Sequence, residues 1–594
     1  MHDPQTELSQ RFSAAIAEAF GPEHAAVDPL IAPAKNPKFG DYQANVAMSL
    51  GKAVGRNPRD VAADLLAALD VGDLFDPPDI AGPGFINLRL KDDYLSQCAA
   101  SLAGDERLGV GPDDSPQRVV VDYSGPNVAK EMHVGHIRST IIGDAIVRVL
   151  EFLGHTTIRR NHLGDWGTQF GMLIEHMIDT GATTQADSFH VGDLNALYQQ
   201  SKQAFDSDPA FADRARDRVV KLQSGDPDTL KLWRLLIDES YRHFSEVYAR
   251  LNVRLTEDDV RGESAYNDVL SDVLADLESA GLTVLSDGAV CVFPDGFAGR
   301  DGEPLPLIIR KSDGGFLYAT TDLAALRYRI RDEHAQRIAY VTDARQKQHF
   351  AMVFQTAKSA GWIDEGAAQD SSGGVRLDHV PFGTILGEDG TPFKTRSGDT
   401  VKLADLLDEA EQRAAAIVAR KNPDLDANQR RQVARVVAIG AIKYADLSSD
   451  RVKDYVFSWD RMLAMDGNTA PYLQYAYARI QSIFAKADVD PSTLRNSPAP
   501  TDVPVTHPAE KALILKILQL GGVIRAVSET LEPHRLCTYL YELASSFSSF
   551  YENCPVIAAD NDAQRRARLI LCDITARTLK TCLGLLGIET LDRM

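Results

Sequence analysis

The stretch from residue 118 to residue 160 restricts the fold more than any other part of the chain. Arg118–Tyr123 is a short apolar run typical of a buried strand, and Thr156–Arg160 is predicted as a second strand. Between them, His136–Leu153 has apolar residues at helical spacing and ends before Gly154. The order strand, loop, helix, strand predicts the opening of a parallel sheet that binds nucleotides.

The loop between this strand and this helix carries His133, Gly135 and His136. A helix N-terminus has free N–H groups and about half a positive charge, so it favours phosphate. Gly135 lets a ligand approach the backbone, and two imidazoles three positions apart can face that ligand together. Such a tetrapeptide alone is more typical of a helix cap or of surface residues. At the carboxyl end of a strand in a parallel sheet, however, it predicts a phosphate site.

The rest of the chain is predicted to form domains around this sheet. The linker Gly109–Gln117 is rich in Gly, Pro, Asp and Ser and indicates a domain boundary. We expect further sheet strands at Leu307–Arg310, Phe316–Ala319 and Arg337–Val341, and a hairpin near Phe382–Leu386. The predicted domains are a small α+β domain over 1–112, a Rossmann-like α/β domain over 113–400 with a helical insertion over about 175–300, a helical stem over 401–465 and an all-α bundle over 466–594.

Composition narrows the classes of function. A formal net charge of −21 argues against general nucleic-acid binding through a basic exterior, although local Lys and Arg tracks remain compatible with RNA. The six cysteines form no CxxC pair, which favours reduced thiols over a zinc site or a disulfide framework. No basic segment followed by an apolar run opens the chain, and Ala512–Ile524 is interrupted by Lys516. We therefore expect a cytoplasmic protein without a membrane span.

Several strings, in order over more than two hundred residues, resemble the arginyl branch of the class I aminoacyl-tRNA synthetases. His133–His136 resembles the HIGH signature of that class. The arginyl strings are DYSGPNVAK from Asp122, NHLGDWGTQFG from Asn161, LYATTDLA from Leu317 and VTDARQ from Val341. The resemblance implies a Rossmann-like class I catalytic domain and a monomeric enzyme. It would activate arginine with ATP and Mg²⁺, require tRNA for that step, and load the 2′-OH of the terminal ribose of tRNA(Arg).

The resemblance also implies which residues act on ATP. Lys130, His133, Gly135 and His136 would bind it and stabilise the charge that develops on phosphate. The second class I signature, K-M-S-K-S, corresponds to the loop Gly390–Gly398 with Lys394 and Arg396 as catalytic cations. This loop departs from the pattern, because Thr395 or Arg396 stands where the second lysine is expected. The resemblance implies that Lys130 substitutes for that lysine.

A pocket for arginine needs carboxylates and an aromatic wall, because the guanidinium is planar, charged and rich in donors. Tyr318 and Asp322 lie four positions apart at a predicted helix start and therefore share a face. The alternatives are core packing for Tyr318 and helix capping for Asp322. Asp122 ends the first strand and is a further candidate acceptor. The resemblance adds contacts to the rest of the amino acid from Ser124, Asn127, His133 and Gln346.

Contacts with tRNA are implied at both ends of the chain. Near the N-terminus, Phe39 would stack on a base of the tRNA elbow, and Gln43 or Asn36 would read it; a structural turn is the alternative. In the last domain the candidates for the anticodon loop are Tyr472, Tyr475, Arg479 and Met594, with core packing as the alternative for the tyrosines. A basic concentration near the end could be an RNA contact or a solvated helix face. It comprises Arg565, Arg566, Arg568, Arg577 and Lys580.

Two other functions remain open at this point. One is a different HxGH nucleotidyltransferase that makes a small metabolite, which the chain length and the two flanking domains disfavour. The other is a non-catalytic paralogue that binds RNA or protein. A non-catalytic paralogue would not need all the candidate residues for ATP and arginine, yet the chain retains the full set: Asp122, Lys130, His133, His136, Tyr318 and Asp322.

Overall fold

The structure is a computed structural model that describes residues 4–34, 36–181, 191–299, 302–363, 374–393, 401–496 and 501–594. The chain divides into two compact units. One unit consists of Met1–Pro112, Ala464–Gly584 and Glu589–Met594, and the other of Asp113–Leu463 and Leu585–Ile588.

The N-terminal part of the first unit is a four-stranded antiparallel sheet covered by helices. Its strands lie in the order β1-β2-β4-β3. Helix α1 buries Leu8, Phe12 and Ile16, which are spaced to share one face. The elements are α1 (Pro4–Phe20), β1 (Ile31–Pro33), β2 (Tyr42–Ala44), α2 (Val46–Val54), α3 (Pro58–Ala68), β3 (Asp79–Ala81), β4 (Phe85–Leu88) and α4 (Asp92–Gly104).

The second unit begins with the predicted strand, helix and strand, now β5 (Arg118–Asp122), α5 (Val134–Phe152) and β6 (Thr156–Arg160). A four-stranded parallel sheet forms in the order β11-β10-β5-β6, with β10 (Arg337–Asp343) and β11 (Arg376–Phe382). The predicted parallel α/β fold is therefore confirmed. Since Asp122 is paired with Tyr340 on β10 and with Arg160 on β6, the loop after β5 starts at the carboxyl edge of the sheet.

Helices and a second sheet lie between β6 and β10. They are α6 (Thr168–Asp179), α7 (Val191–Ser207), α8 (Pro209–Gln223), α9 (Pro227–Arg250), α10 (Leu270–Ser279), β7 (Thr283–Ser286), β8 (Ala289–Val292), β9 (Leu307–Arg310) and α11 (Tyr318–Arg331). The second sheet is antiparallel, in the order β7-β8-β9.

Two strand predictions for the main sheet were wrong. Leu307–Arg310 is a strand, but it pairs with β8 in the antiparallel sheet, because an apolar run alone does not specify its partner. Phe316–Ala319 is not a strand: Leu317 is extended at the N-cap and helix α11 begins at Tyr318. Phe316 makes only an isolated bridge to Arg310.

The remaining part of the second unit comprises α12 (Lys347–Ser359), β12 (Ile385–Leu386), α13 (Leu403–Lys421), α14 (Ala427–Leu447), β13 (Tyr455–Val456) and α15 (Trp459–Met462). The predicted hairpin turns at Gly387–Thr391, where the Gly387 N–H donates to the Thr391 carbonyl at 2.7 Å. Its first strand, β12, also pairs in parallel with β13.

Helices form the C-terminal part of the first unit: α16 (Ala470–Ala487), α17 (Pro491–Asn496), α18 (Pro508–Leu518), α19 (Leu520–Thr530), α20 (His534–Asn553) and α21 (Asp562–Leu585). They pack on the N-terminal part of the same unit. The Arg577 guanidinium donates to the carbonyls of Leu102, Ala103 and Asp105 at 2.8–3.0 Å and so caps the end of α4.

Three members of the basic concentration near the C-terminus have structural roles, since Arg565 also donates to the Ala487 carbonyl at 3.2 Å. Besides Arg577, Arg568 is buried and pairs with buried Glu510 at 2.8 Å. Guanidinium groups that are hydrogen-bonded inside the protein in this way are not available to an RNA phosphate. All six cysteines are buried, and none forms a disulfide. None of the described helices combines the length and apolar character needed to cross a bilayer.

Candidate active site

The two histidines cap the start of helix α5. His133 is the N-cap, and its Nδ1 accepts from the Gly135 N–H at 3.0 Å, while Nδ1 of His136 accepts from the His133 N–H at 3.1 Å. Their ring centroids lie 3.9 Å apart. A neutral imidazole that accepts at Nδ1 carries its proton on Nε2. Each ring therefore keeps an Nε2–H donor that is not used in capping.

The environment keeps both rings neutral. Burial, followed by the positive charge of Lys130, lowers the pKa of His133. Burial, followed by His133 and then by Lys130, lowers the pKa of His136 to about 3. Two neutral donors at a helix N-terminus are suited to binding phosphate oxygens, and Gly135 is exposed beside them.

The loop before this helix has an unusual backbone that helix α9 stabilises. Ser124, Gly125 and Ala129 have positive φ angles of 74°, 53° and 60°. From α9, the Tyr248 hydroxyl lies 2.7 Å from Ser124 Oγ, and Ser240 Oγ accepts from the Ala129 N–H at 2.9 Å. Left-handed conformations at residues other than glycine are costly and persist when surrounding contacts stabilise them. The helical insertion thus shapes the loop.

Asp122 and Ser124 lie at the carboxyl edge of the main sheet, and both already have protein partners. Asp122 Oδ2 accepts from Arg329 Nη2 at 2.6 Å, and the Arg329 guanidinium lies 4.9 Å from the centre of the Tyr340 ring. Ser124 Oγ also accepts from Thr140 at 3.0 Å. Burial opposes the charge of Arg329, but Asp122 and Tyr340 more than compensate, so the pKa of Arg329 stands well above its ordinary value.

Tyr318 and Asp322 share a face at the start of α11. The alternative roles, core packing for Tyr318 and helix capping for Asp322, are both wrong. Tyr318 is 64% exposed and so is not a core residue. Asp322 does not cap the helix, because the N-cap is Leu317 and no side chain caps it. Asp322 Oδ2 lies 2.6 Å from His349 Nε2, and the His349 ring lies 5.0 Å from that of Tyr318. An exposed phenol thus stands beside a carboxylate held by an imidazole.

Two further groups near Asp322 were not predicted from the sequence. His162 Nε2 lies 4.0 Å from Asp322 Oδ1. The carboxyl of Glu263 lies close enough that burial, followed by the charges of Asp165 and Asp322, raises its pKa to about 7. Glu263 follows Gly262, where an added Cβ would lie 2.3 Å from a carboxylate oxygen of Asp165. His162 lies inside a string that already resembled the family, whereas Glu263 lies in none of them.

Asn127 and Gln346 are placed by the loops at the carboxyl edge of the sheet. Asn127 is exposed and forms a parallel bridge with Gly164, where an added Cβ would lie 2.2 Å from Asn127 Oδ1. Gln346 ends the short 3₁₀ turn Ala344–Gln346 directly after β10 and is exposed. Lys394 and Arg396 lie outside the described residues.

The candidate tRNA contacts of the N-terminal region differ in accessibility. Phe39 is 46% exposed. The amide of Gln43 donates to Asn87 Oδ1 at 2.9 Å, and Asn36 Oδ1 accepts from the Lys38 N–H at 3.0 Å. Gln43 and Asn36 thus also have structural bonds, while the Phe39 ring is accessible.

The C-terminal candidates differ in the same way. Tyr475 is 46% exposed, whereas Tyr477, which is not among the four candidates, is buried and donates to Asp592 at 3.2 Å. The Tyr472 hydroxyl lies 3.4 Å from Ser548 Oγ, and the Arg479 guanidinium lies 4.3 Å from the centre of the Tyr551 ring. Met594 is half-buried.

Comparison with family models assigns each part of the chain. The model for the catalytic domain of class I (R) tRNA synthetases matches residues 99–459. The arginyl-tRNA synthetase N-terminal domain matches residues 6–90, and the DALR anticodon-binding domain matches residues 473–594. The parallel sheet, the capped histidine turn and these matches define a class I aminoacyl-tRNA synthetase.

Similar proteins extend the match over the whole chain. The arginine–tRNA ligases of Synechococcus sp. and Thermobifida fusca are each 52% identical to it, over 100% of both chains. The arginyl-tRNA synthetase structures of Plasmodium falciparum and Thermus thermophilus superpose with TM-scores of 0.85 and 0.81, at 32% and 25% identity, with 100% of each chain covered. The chain belongs to the arginyl-tRNA synthetase family.

Proposed function

We propose that this enzyme activates L-arginine with ATP and transfers the arginyl group to the 3′-terminal ribose of tRNA(Arg). The observation that supports this most directly is the pairing of two sites in one unit. One is the helix tip, where capping leaves the Nε2–H donors of His133 and His136 unused, and the other is the phenol and carboxylate pair Tyr318 and Asp322. The first suits a phosphate and the second a guanidinium.

In the first reaction a carboxylate oxygen of arginine attacks the α-phosphorus of ATP, and the bond to the β-phosphate oxygen breaks. Arginyl-adenylate and pyrophosphate are formed. We assign His133, His136 and the Gly135 backbone to the phosphates, with Lys130, Lys394 and Arg396 as the cations. In the second reaction the 2′-OH attacks the arginyl carbonyl and AMP leaves.

ATP would act as its magnesium complex, with the ion held by phosphate oxygens and water. Among the described residues there is no group of three or more His, Cys, Asp or Glu side chains that could hold a metal ion. The imidazoles at the helix tip offer N–H groups that suit phosphate oxygens, whereas Mg²⁺ prefers oxygen ligands.

The guanidinium of arginine would lie between the Tyr318 ring and the Asp322 carboxylate. Glu263 supplies a second carboxyl group near Asp322, and His349 orients Asp322 through its 2.6 Å hydrogen bond. Asp122, Ser124, Asn127, His133 and Gln346 are assigned to the carboxylate and amino end of arginine. Because the Asp122 carboxylate is bonded to Arg329, we assign it an electrostatic contribution as well.

For tRNA we assign the elbow to Phe39 and Gln43 and the anticodon loop to Tyr472, Tyr475, Arg479 and Met594. Exposed rings such as Phe39 and Tyr475 suit stacking on unpaired bases. We further propose that the enzyme is a cytoplasmic monomer, that tRNA is needed for adenylate formation, and that the domains are those predicted from the sequence. Full-rate ATP–pyrophosphate exchange without tRNA would contradict the tRNA requirement.

The test is aminoacylation of tRNA with labelled arginine by the wild-type enzyme and by Asp322→Asn. Removing a charge-assisted bond to the guanidinium should lower kcat/KM for arginine about 10- to 100-fold. Asp332→Asn, at the exposed far end of the same helix, is the matched control and should be unaffected. Equal activity of Asp322→Asn and wild type, or equal use of citrulline and arginine by the wild type, would contradict the proposed pocket.

A further inference from the structure

The ammonium group of Lys130 has an aromatic partner on the helical insertion. Lys130 Nζ lies 4.5 Å from the centre of the Tyr198 ring, on helix α7. We propose that Tyr198 is a positioning residue that holds the Lys130 ammonium beside the histidine turn, ready to bind the phosphates of ATP. This inference rests on the proposed function, in which Lys130 is a phosphate contact.

Lys130 lies close to both imidazoles, since its charge contributes to lowering the pKa of His133 and of His136. Among the described residues, Lys130 forms no hydrogen bond or ion pair. The carboxylate next to it in the sequence, that of Glu131, already has another partner. Glu131 pairs with Lys402 at 2.7 Å. The cation therefore stands beside the helix tip with its N–H donors unused.

An aromatic face suits this task better than a carboxylate would. A carboxylate would neutralise the ammonium and compete with phosphate for its donors. The face of a tyrosine attracts the cation without accepting a conventional hydrogen bond, and a separation within about 6 Å is effective. Restricting the long lysine side chain before ATP binds also removes part of the entropy cost of ordering it.

The backbone next to Lys130 is fixed by a different helix of the insertion. Ala129 has a φ of 60°, and its N–H donates to Ser240 Oγ on α9 at 2.9 Å. Ser240 is buried and its hydroxyl also donates to the Leu236 carbonyl at 2.7 Å. Thus α9 fixes the backbone from which the Lys130 side chain extends, and α7 fixes the position of its ammonium group.

The test compares Tyr198→Leu with Tyr198→Phe in ATP–pyrophosphate exchange with tRNA and arginine present. We expect Tyr198→Leu to lower kcat/KM for ATP about 3- to 30-fold, with KM for arginine unchanged, and Tyr198→Phe to stay within about twofold of wild type. The matched control is Phe205→Leu on the same helix. Its ring lies 5.8 Å from Lys202 Nζ, in a similar contact that does not involve Lys130.

A double-mutant cycle with Lys130→Ala separates this inference from the proposed function. We expect Tyr198→Leu to cause no further loss in the Lys130→Ala background. A full additional loss there would show that Tyr198 acts independently of Lys130 and would overturn the inference. Wild-type ATP kinetics of Tyr198→Leu beside an impaired Lys130→Ala would overturn the inference alone. Wild-type kinetics of Lys130→Ala itself would overturn the phosphate role of Lys130 as well.

Discussion

At the scale of single residues, the neutral state of His136 determines what its ring can do. Its Nδ1 accepts a backbone N–H, and its pKa is lowered to about 3, chiefly by burial. The ring is therefore a hydrogen-bond donor through Nε2 across the physiological range. It does not act as a proton donor that changes charge near neutral pH.

Replacing His136 with asparagine should separate capping from catalysis. The asparagine oxygen can occupy the position of Nδ1 and accept the His133 N–H, but nothing replaces the Nε2 donor. We expect kcat for adenylate formation to fall about 100- to 1000-fold, as for loss of a donor to transition-state charge, with a small change in the melting temperature. Because the wild-type ring stays neutral, this loss should be the same at pH 6 and pH 8. A loss confined to low pH would contradict the assignment.

Glu263 is the carboxyl group from which we expect a pH effect near neutrality. Burial, followed by Asp165 and Asp322, raises its pKa from 4.5 to about 7. The folded protein therefore keeps a proton there that the unfolded chain loses above about pH 4.5. Stability contributed by that proton is present at low pH and is lost as pH rises between these two pKa values.

The corresponding variant is Glu263→Gln, which is neutral at every pH. In the absence of arginine it should unfold at a higher temperature than wild type at pH 8 and at a similar temperature at pH 5. The difference in unfolding free energy at pH 8 should be at most about 3 kcal/mol, because the pKa is raised from 4.5 to about 7 in the folded protein. The same variant should bind arginine more weakly at pH 8. Thermal unfolding at the two pH values measures the first effect, and arginine titration measures the second. A change in unfolding temperature that is equal at both pH values would contradict the predicted pH dependence.

At the scale of elements, the buried pair Asp122–Arg329 joins the end of strand β5 to helix α11. Its two charges lie 2.6 Å apart, and Arg329 is fully buried. Removing one partner of a buried pair leaves an uncompensated charge, which costs about 3–5 kcal/mol. This pair positions α11, and therefore Tyr318 and Asp322, against the sheet.

We expect Arg329→Met to destabilise the enzyme by about 3–5 kcal/mol, because Asp122 then loses its partner. Adding Asp122→Asn should restore most of the stability, since no buried charge remains. If Asp122 also contributes to the arginine site, the double variant should be stable and still have a raised KM for arginine. Denaturant unfolding and steady-state kinetics distinguish the two roles, and a double variant no more stable than Arg329→Met would contradict the structural one.

At the scale of the whole molecule, a segment just before Glu589–Met594, which is part of the first unit, belongs to the second unit. Leu585–Ile588 belongs to that unit, and Lys443 Nζ donates to the Gly587 carbonyl at 3.0 Å and to the Leu251 carbonyl at 2.8 Å. Gly587 has a φ of 68°, and a Cβ there would lie within 2.3 Å of Lys443 Nζ. Gly587 is thus packed against Lys443, a buried lysine of the same unit.

Gly587→Ala should therefore destabilise the protein by more than about 1 kcal/mol, through both the positive φ and the contact with Lys443. Gly584→Ala is the matched control three residues earlier, within α21, where a Cβ would meet nothing within 4 Å. That substitution should be neutral or stabilising, because alanine favours a helix. Equal melting temperatures of the two variants would show that the packing around Gly587 is not strained.

The sequence alone determined the features that depend on local patterns. The strand, histidine turn and helix from residue 118 onward follow from apolar spacing and helix capping, and the shared face of Tyr318 and Asp322 follows from their four-residue spacing. The ordered strings around them also indicated the family, which the comparisons confirmed.

Tertiary structure alone decided which distant groups meet. His349 contacts Asp322, Arg329 contacts Asp122, and Tyr198 contacts Lys130 only because separate helices and loops converge at the carboxyl edge of one sheet. The charge of Asp322 acts on Glu263 for the same reason. The sheet to which Leu307–Arg310 belongs was decided in the same way. Periodicity reports which face of an element is buried, but it carries no information on the partner that buries it.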